Sequence, residues 1–134
     1  METLRLAIKA QKENIKIYNE IIVDLERDKL FFEEKYGKYF DRDDLVAVVR
    51  GGINDMDKRI DKMNENITET QRLIKKLEIN LLTHKILYKL RWTYDKYGEK
   101  VEKIIECFLE KGKTLNQIET TFNKIGGEDG GTKK

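Results

Sequence analysis

The side chains best suited to metal binding or nucleophilic chemistry in this 134-residue chain are one histidine, His84, and one cysteine, Cys107. They are 23 positions apart, and the sequence contains no other histidine or cysteine. A zinc site needs three or four ligands at suitable spacing, so we predict no metal site. Position 81 is leucine, which excludes the Glu-x-x-His pair of helical di-iron bundles. We interpret His84 as a polar residue at a core position, with a buried ligand or pH switch as the alternative.

Carboxylates are abundant, but their spacing is typical of surface ion pairs rather than of a catalytic pair. Acidic and basic side chains alternate at helical spacing in one segment: Asp55, Asp57, Lys58, Arg59, Asp61, Lys62 and Glu65. The sequence has no phosphate-binding loop, dinucleotide-binding glycine pattern, nucleophile elbow or EF-hand loop. We therefore predict no enzymatic activity, no cofactor and no small-molecule substrate.

A lysine-rich stretch around the only tryptophan is the strongest candidate for a binding surface. If residues 84–103, which begin with HKILYKLRWTYDKYGEK, belong to one continuous helix, six side chains share an arc of about 80° over roughly 27 Å. These are Lys85, Lys89, Trp92, Lys96, Lys100 and Lys103. Residues 72–103 carry nine basic and four acidic residues, whereas residues 33–71 carry seven basic and ten acidic ones. The chain is thus electrically polarised although its net charge is only +2.

This stretch predicts a non-enzymatic adaptor or inhibitor that engages an acidic macromolecular surface through residues 85–103. An exposed tryptophan can anchor a protein interface. Lysines at one-turn spacing can instead contact phosphates, so a sequence-nonspecific nucleic-acid-binding regulator is the alternative. In a third interpretation the lysines only solvate a helix, and the chain is a structural coiled-coil or virion component. Twenty lysines against seven arginines, with 15 isoleucines, are typical of AT-rich genomes, including those of phages.

Composition indicates an all-α fold. Charged residues make up 39% of the chain, against about 25% in a typical globular domain, and there is no proline. An interior proline costs a helix about 3 kcal/mol, so its absence fits long helices. We predict helices over about 3–36, 43–97, 99–111 and 114–125 in one domain, 1–125, followed by a flexible Gly-rich tail, 126–134. "TLNQ" at 114–117 predicts a capping box at the start of the last helix.

Heptad repeats indicate how the two long helices pack. The first seam contains Leu4, Ile8, Gln11, Ile15, Tyr18, Ile22, Leu25, Lys29, Phe32, Tyr36 and Tyr39. The second contains Val46, Val49, Ile53, Met56, Ile60, Met63, Ile67, Thr70, Ile74, Leu77 and Leu81. Beyond these, the pattern restarts about one residue out of phase at Leu87 and continues through Leu90, Tyr94, Tyr97, Val101, Ile104 and Phe108.

These seams predict an elongated antiparallel helical hairpin or coiled coil with a short C-terminal helix. Ile17, Ile21, Leu30 and Phe31 widen the apolar face of the first helix, so we expect a homodimeric bundle. The second seam from Ile53 to Leu81 would form its oligomer contacts. The Gly51-Gly52 pair within that seam predicts a locally weak helix, with a hinge or a close helix crossing as alternatives. No apolar run approaches membrane-spanning length, and we expect a cytoplasmic protein without membrane contact.

Overall fold

The computed structural model describes residues 1–39 and 43–132. Four α-helices follow one another: α1, Glu2–Tyr36; α2, Asp43–Leu90; α3, Tyr94–Glu110; and α4, Leu115–Thr132. A short 3-10 helix, Gly37–Tyr39, extends the end of α1. These ranges contain no strand, and the predicted all-α class is confirmed.

Two helix boundaries differ from those that the sequence predicts. The predicted helix over 43–97 ends at Leu90, and α3 begins at Tyr94. The chain turns at residues 91–93 although these contain neither glycine nor proline, so packing rather than local preference sets this boundary. At the other end, α4 continues to Thr132, past the glycine pair at 126–127 where the sequence predicted its end. Lys133 and Lys134 of the predicted tail lie outside the described residues.

The chain divides into two compact units. Unit 1 comprises residues 1–9 and 74–134, and unit 2 comprises residues 10–73.

In unit 2, α1 and α2 run in opposite directions. Lys29 of α1 forms an ion pair with Asp57, and Phe32, one turn later, packs at Gly52. Residues later in α1 therefore lie beside residues earlier in α2, as in an antiparallel pair. The described seam residues of this unit are all buried or half-buried. They run from Gln11 to Tyr36 on α1 and from Val46 to Thr70 on α2. The heptad pattern thus identifies the side chains that unit 2 covers.

The Gly51-Gly52 pair lies within α2, and its two glycines have different surroundings. A β-carbon at Gly52 would come within 3.1 Å of the Phe32 ring, whereas a β-carbon at Gly51 would meet open space. Gly52 therefore allows the ring of Phe32 to approach the α2 backbone. Of the predicted alternatives, this geometry corresponds to the close helix crossing.

Unit 2 also exposes apolar side chains on α1. Ile17, Ile21, Leu30 and Phe31, the residues that widen the apolar face beyond the seam, are all exposed, and Phe31 retains 61% of its accessible surface. Large apolar side chains exposed along one helix are a candidate contact surface for another molecule.

Unit 1 holds the main hydrophobic core. Its buried members come from three helices: Ile79, Leu82, Ile86 and Leu87 of α2; Val101 and Ile105 of α3; and Ile118 and Phe122 of α4. Ile86, Ile105 and Ile118 retain 2% or less of their accessible surface. Burial of a large aliphatic side chain contributes about 1.5–3 kcal/mol, so these residues hold α3 and α4 against the end of α2.

On α3 the buried face differs from the predicted seam. Ile105 is fully buried, whereas Ile104 and Tyr94, which the sequence predicted as seam residues, are exposed. The prediction extended the register of α2 through residues 91–93. Because α3 is a separate helix in a new direction, its inward face is set by Val101, Ile105 and the partly buried Phe108.

The start of α4 matches the predicted capping box. The amide of Gln117 donates to the hydroxyl of Thr114 at 3.2 Å, and the amide of Thr114 donates to the side-chain oxygen of Gln117 at 2.9 Å. The α3–α4 connection therefore satisfies amide groups that the start of a helix leaves without partners.

Among residues 1–39 and 43–132, no helix has both the length and the apolar content needed to cross a membrane.

Candidate functional site

The end of α2 is a Schellman turn with an arginine in the left-handed position. The amide of Trp92 donates to the carbonyl of Leu87 at 2.9 Å, and the amide of Arg91 donates to the carbonyl of Tyr88 at 3.3 Å. Arg91 has φ +56°, a conformation that glycine adopts most easily. The turn brings Trp92 to the surface immediately before α3.

α3 then begins without help from a capping side chain. Thr93 has extended backbone angles and forms no side-chain capping hydrogen bond, although its carbonyl accepts from the amide of Tyr97 at 3.1 Å. Asp95 lies in the first turn, where a negative charge complements the helix dipole. We call residues 91–93 the α2–α3 turn.

Trp92 rests on the first turn of α3 and remains accessible. Its ring packs against Tyr97 with centroids 4.7 Å apart, and 41% of the residue is exposed. The ammonium group of Lys96 lies 5.4 Å from the centroid of the Tyr97 ring, within cation–π range. Two aromatic rings and a lysine thus form one patch beside the turn.

A second aromatic contact joins α2 to the start of α3. The Tyr94 ring stacks on the imidazole of His84, with centroids 4.9 Å apart and planes inclined by 13°. The Tyr94 hydroxyl donates to a carboxylate oxygen of Glu102 at 3.0 Å. A β-carbon at Gly98 would lie only 2.9 Å from the Tyr94 ring, so a side chain at this position would displace the ring.

The hydrogen bond to Glu102 raises the pKa of Tyr94, and burial and the charge of Glu102 act in the same direction. The neutral phenol is therefore the form that this arrangement stabilises. Sequence reasoning identified His84 but missed its contact with Tyr94. The available signal was local: Gly98 follows Tyr94 by one turn, and Glu102 follows Gly98 by one turn.

The structure divides the predicted lysine stripe between two helices. Lys85 and Lys89 lie on α2, Trp92 lies in the turn, and Lys96, Lys100 and Lys103 lie on α3. The prediction of one 27 Å stripe is wrong, because it required a helix that continues through residues 91–93. Lys89 donates to the side-chain oxygen of Asn123 on α4 at 2.8 Å.

The α3 part of the stripe remains a single face. Lys96, Lys100 and Lys103 are exposed and follow one another at helical spacing, opposite the buried Val101 and Ile105. None of these three lysines forms an ion pair with any residue in the described part of the chain. We call Trp92, Lys96, Tyr97, Lys100 and Lys103 the Trp92 surface.

The predicted oligomer seam lies on α2 and is partly covered within one chain. In unit 2 its residues Ile53, Met56, Ile60, Met63 and Ile67 are half-buried; in unit 1 Ile74 is buried and Leu77 and Leu81 are half-buried. Their role in an oligomer stays a prediction.

The described residues contain no group of three or more His, Cys, Asp or Glu side chains that could hold a metal ion. Cys107 is exposed as a free thiol on α3. No protein-family model, curated protein or solved structure matches the chain.

Proposed function

We propose that this chain is a non-enzymatic helical binding protein, an adaptor or inhibitor, that engages an acidic macromolecular surface through the Trp92 surface. The supporting observation is an exposed tryptophan, supported by Tyr97, next to three lysines without ion-pair partners among the described residues. Tryptophan is enriched at the centres of protein interfaces, and the surrounding lysines favour a partner of negative charge.

Regional charge supports the same partner chemistry. Residues 74–125 of unit 1 carry eleven basic and seven acidic side chains, whereas unit 2 carries twelve basic and fifteen acidic ones. A partner attracted by charge would approach unit 1 rather than unit 2. Such steering acts mainly on the association rate and weakens as salt is added.

The fluorescence of the single tryptophan provides the test. The protein is titrated with a polyglutamate peptide and, separately, with a mixed-sequence DNA duplex, each at low and moderate salt. We expect a saturable change in Trp92 emission with polyglutamate. The change should be lost in the double variant Lys96→Gln/Lys100→Gln and retained in Lys75→Gln/Lys76→Gln, which removes the same charge from exposed positions on α2.

A sequence-nonspecific nucleic-acid-binding regulator is the second candidate. Lys96, Lys100 and Lys103 follow one helix face at one-turn spacing, which suits contact with successive phosphates. The Trp92 surface contains no arginine, the residue that most often recognises a base. A response to the duplex alone, with an affinity that falls steeply as salt rises, would favour this candidate. No response to either probe would contradict both candidates and favour a structural role.

We also propose a homodimer through the exposed apolar face of α1. Ile17, Ile21 and Phe31 lie on one side of this helix and are exposed in the single chain. Ile17→Glu and Phe31→Glu should each lower the dimer fraction in sedimentation equilibrium. Val48→Glu is the control, because Val48 is 68% exposed and lies on α2 rather than on α1. Equal dimer fractions in all the variants would contradict the assignment.

A further inference from the structure

The turns that end α2 and α3 have the same hydrogen-bond pattern but different residues at their central position. In the second, the amide of Lys113 donates to the carbonyl of Phe108, and the amide of Gly112 donates to that of Leu109. Its left-handed residue is Gly112, with φ +87°. The α2–α3 turn places Arg91 at the equivalent position, so its backbone conformation is unfavourable for the residue it contains.

The sequence around the α2–α3 turn favours a helix. Between Gly52 and Gly98 there is neither glycine nor proline. Leu87, Leu90, Tyr94 and Tyr97 keep a single heptad register across residues 91–93. Residues 91–93 also lack a side-chain cap at Thr93 that would stabilise a new helix start. The local sequence therefore favours a helix at residues 91–93, whereas the folded chain forms a turn there.

The hydrophobic core of unit 1 explains why the turn nevertheless forms. Val101 and Ile105 of α3 and Ile118 and Phe122 of α4 are buried together with Ile79, Leu82, Ile86 and Leu87 of α2. These contacts need α3 and α4 to lie against the end of an α2 helix. The same contacts would form if α3 and α4 came from one copy of the chain and α2 from another.

We propose that the α2–α3 turn is the hinge of a domain swap, in which two copies of this chain exchange α3 and α4. In the exchanged dimer, residues 91–93 become helical, α2 continues into α3, and Arg91 leaves the left-handed conformation. The core, the His84–Tyr94 stack and the Lys89–Asn123 hydrogen bond re-form between copies. Short connections under backbone strain favour such exchange.

Two substitutions at Arg91 test the proposal in opposite directions. Arg91→Gly favours the turn, because glycine adopts positive φ without strain and weakens a helix. Arg91→Ala keeps a β-carbon in the turn and strengthens the helix. Each protein is refolded at high concentration, diluted, and followed by size exclusion with light scattering over several hours. A swapped dimer persists after dilution because separation requires unfolding, whereas a dimer held by surface contacts dissociates quickly.

We expect persistent dimer in the wild type and more in Arg91→Ala. In Arg91→Gly the concentration needed for half dimer should rise at least about tenfold, since each dimer contains two hinges. The controls are Lys113→Gly and Lys113→Ala, at an exposed position after the turn that already contains glycine; they should match each other. Equal persistent-dimer fractions in the two Arg91 variants, or no persistent dimer in any protein, would overturn the proposal.

The exchange is separable from the dimer proposed for α1, because it uses only residues of unit 1. Ile17→Glu should therefore leave the persistent dimer unchanged. Loss of that dimer in Ile17→Glu would mean that the α1 face holds the copies together and would contradict the exchange.

Discussion

The ammonium nitrogen of Lys29 lies 2.7 Å from a carboxylate oxygen of Asp57, and this ion pair joins α1 to α2 within unit 2. Lys29 occupies a position that the heptad pattern reserves for an apolar side chain. The hydrogen bond to Asp57 raises the pKa of Lys29 and keeps its charged form favoured. A polar pair at a seam position can specify how two helices align, because any shifted alignment separates the two charges.

Exchanging the two charges tests this alignment. Lys29→Glu and Asp57→Lys should each lower the thermal unfolding midpoint, since each places like charges together, and the double variant should recover most of the loss. The raised pKa of Lys29 means that its contribution is present below about pH 10 and declines as the pH rises through the folded-state value. If the loss of unfolding midpoint in the double variant equals the sum of the losses in the two single variants, the pair does not couple the helices. Asp61→Lys, which reverses the same charge at an exposed position of α2, is the matched control.

The adjacent glycines of α2 should respond differently to alanine. Gly51→Ala should raise the free energy of unfolding by about 1 kcal/mol, because alanine favours the helix and its methyl group meets open space. Gly52→Ala gains the same preference but places its methyl group 3.1 Å from the Phe32 ring, so its net gain should be smaller. Urea denaturation gives both values. A Gly52→Ala protein as stable as Gly51→Ala would show that Phe32 moves aside without cost.

Arg91→Gly should stabilise the monomer as well as disfavour exchange. Relief of the left-handed conformation favours the folded state by about 1–2 kcal/mol, and the greater freedom of glycine in the unfolded chain offsets part of this. We expect a net gain of about 0.5–1 kcal/mol by denaturation at low protein concentration, where exchange is absent. A loss of stability would show that the Arg91 side chain contributes more than its backbone conformation costs.

The all-α fold class and the buried seams could be predicted from the sequence, because the spacing of apolar residues indicates which side of a helix is covered. In unit 2 the seam residues on both helices are covered as this rule predicts, from Gln11 to Tyr36 and from Val46 to Thr70. The capping box at Thr114 was also predictable, because its partners are three residues apart. These features depend on neighbours along the chain.

The α2–α3 turn could not be predicted in that way. Nothing in residues 91–93 ends a helix, so the turn depends on contacts between residues far apart in sequence, such as the hydrogen bond of Lys89 with Asn123 of α4. An error of one helix boundary then affected two further predictions. It placed Ile104 rather than Ile105 on the buried face, and it joined the lysines of α2 and α3 into one stripe. Asp57 is a separate case: its spacing predicted a surface ion pair within its own helix, but its partner Lys29 lies on another helix.

Removal of the Tyr94 hydroxyl should change the alkaline titration of the protein. The pKa of Tyr94 is raised, so its contribution to stability is present below about pH 10 and is lost as the pH rises through the folded-state pKa. Absorbance of tyrosinate near 295 nm should lose a component with a raised pKa in Tyr94→Phe. Tyr88→Phe, at a position that is 78% exposed, is the matched control. Identical difference curves for the two variants would contradict the Glu102 hydrogen bond.

Two adjacent isoleucines on α3 provide the sharpest test of the core of unit 1. Ile105 is 0% exposed and Ile104 is 42% exposed. Ile105→Ala should cost about 2–5 kcal/mol, because it removes buried methyl groups and leaves a cavity between α2, α3 and α4. Ile104→Ala should change the free energy of unfolding by no more than about 0.5 kcal/mol, as expected for a surface position, and helix preference favours the alanine slightly. The sequence-based register, in which α2 continues through residues 91–93, requires the opposite ranking. Guanidinium denaturation of the two variants therefore decides whether α3 packs as a separate helix.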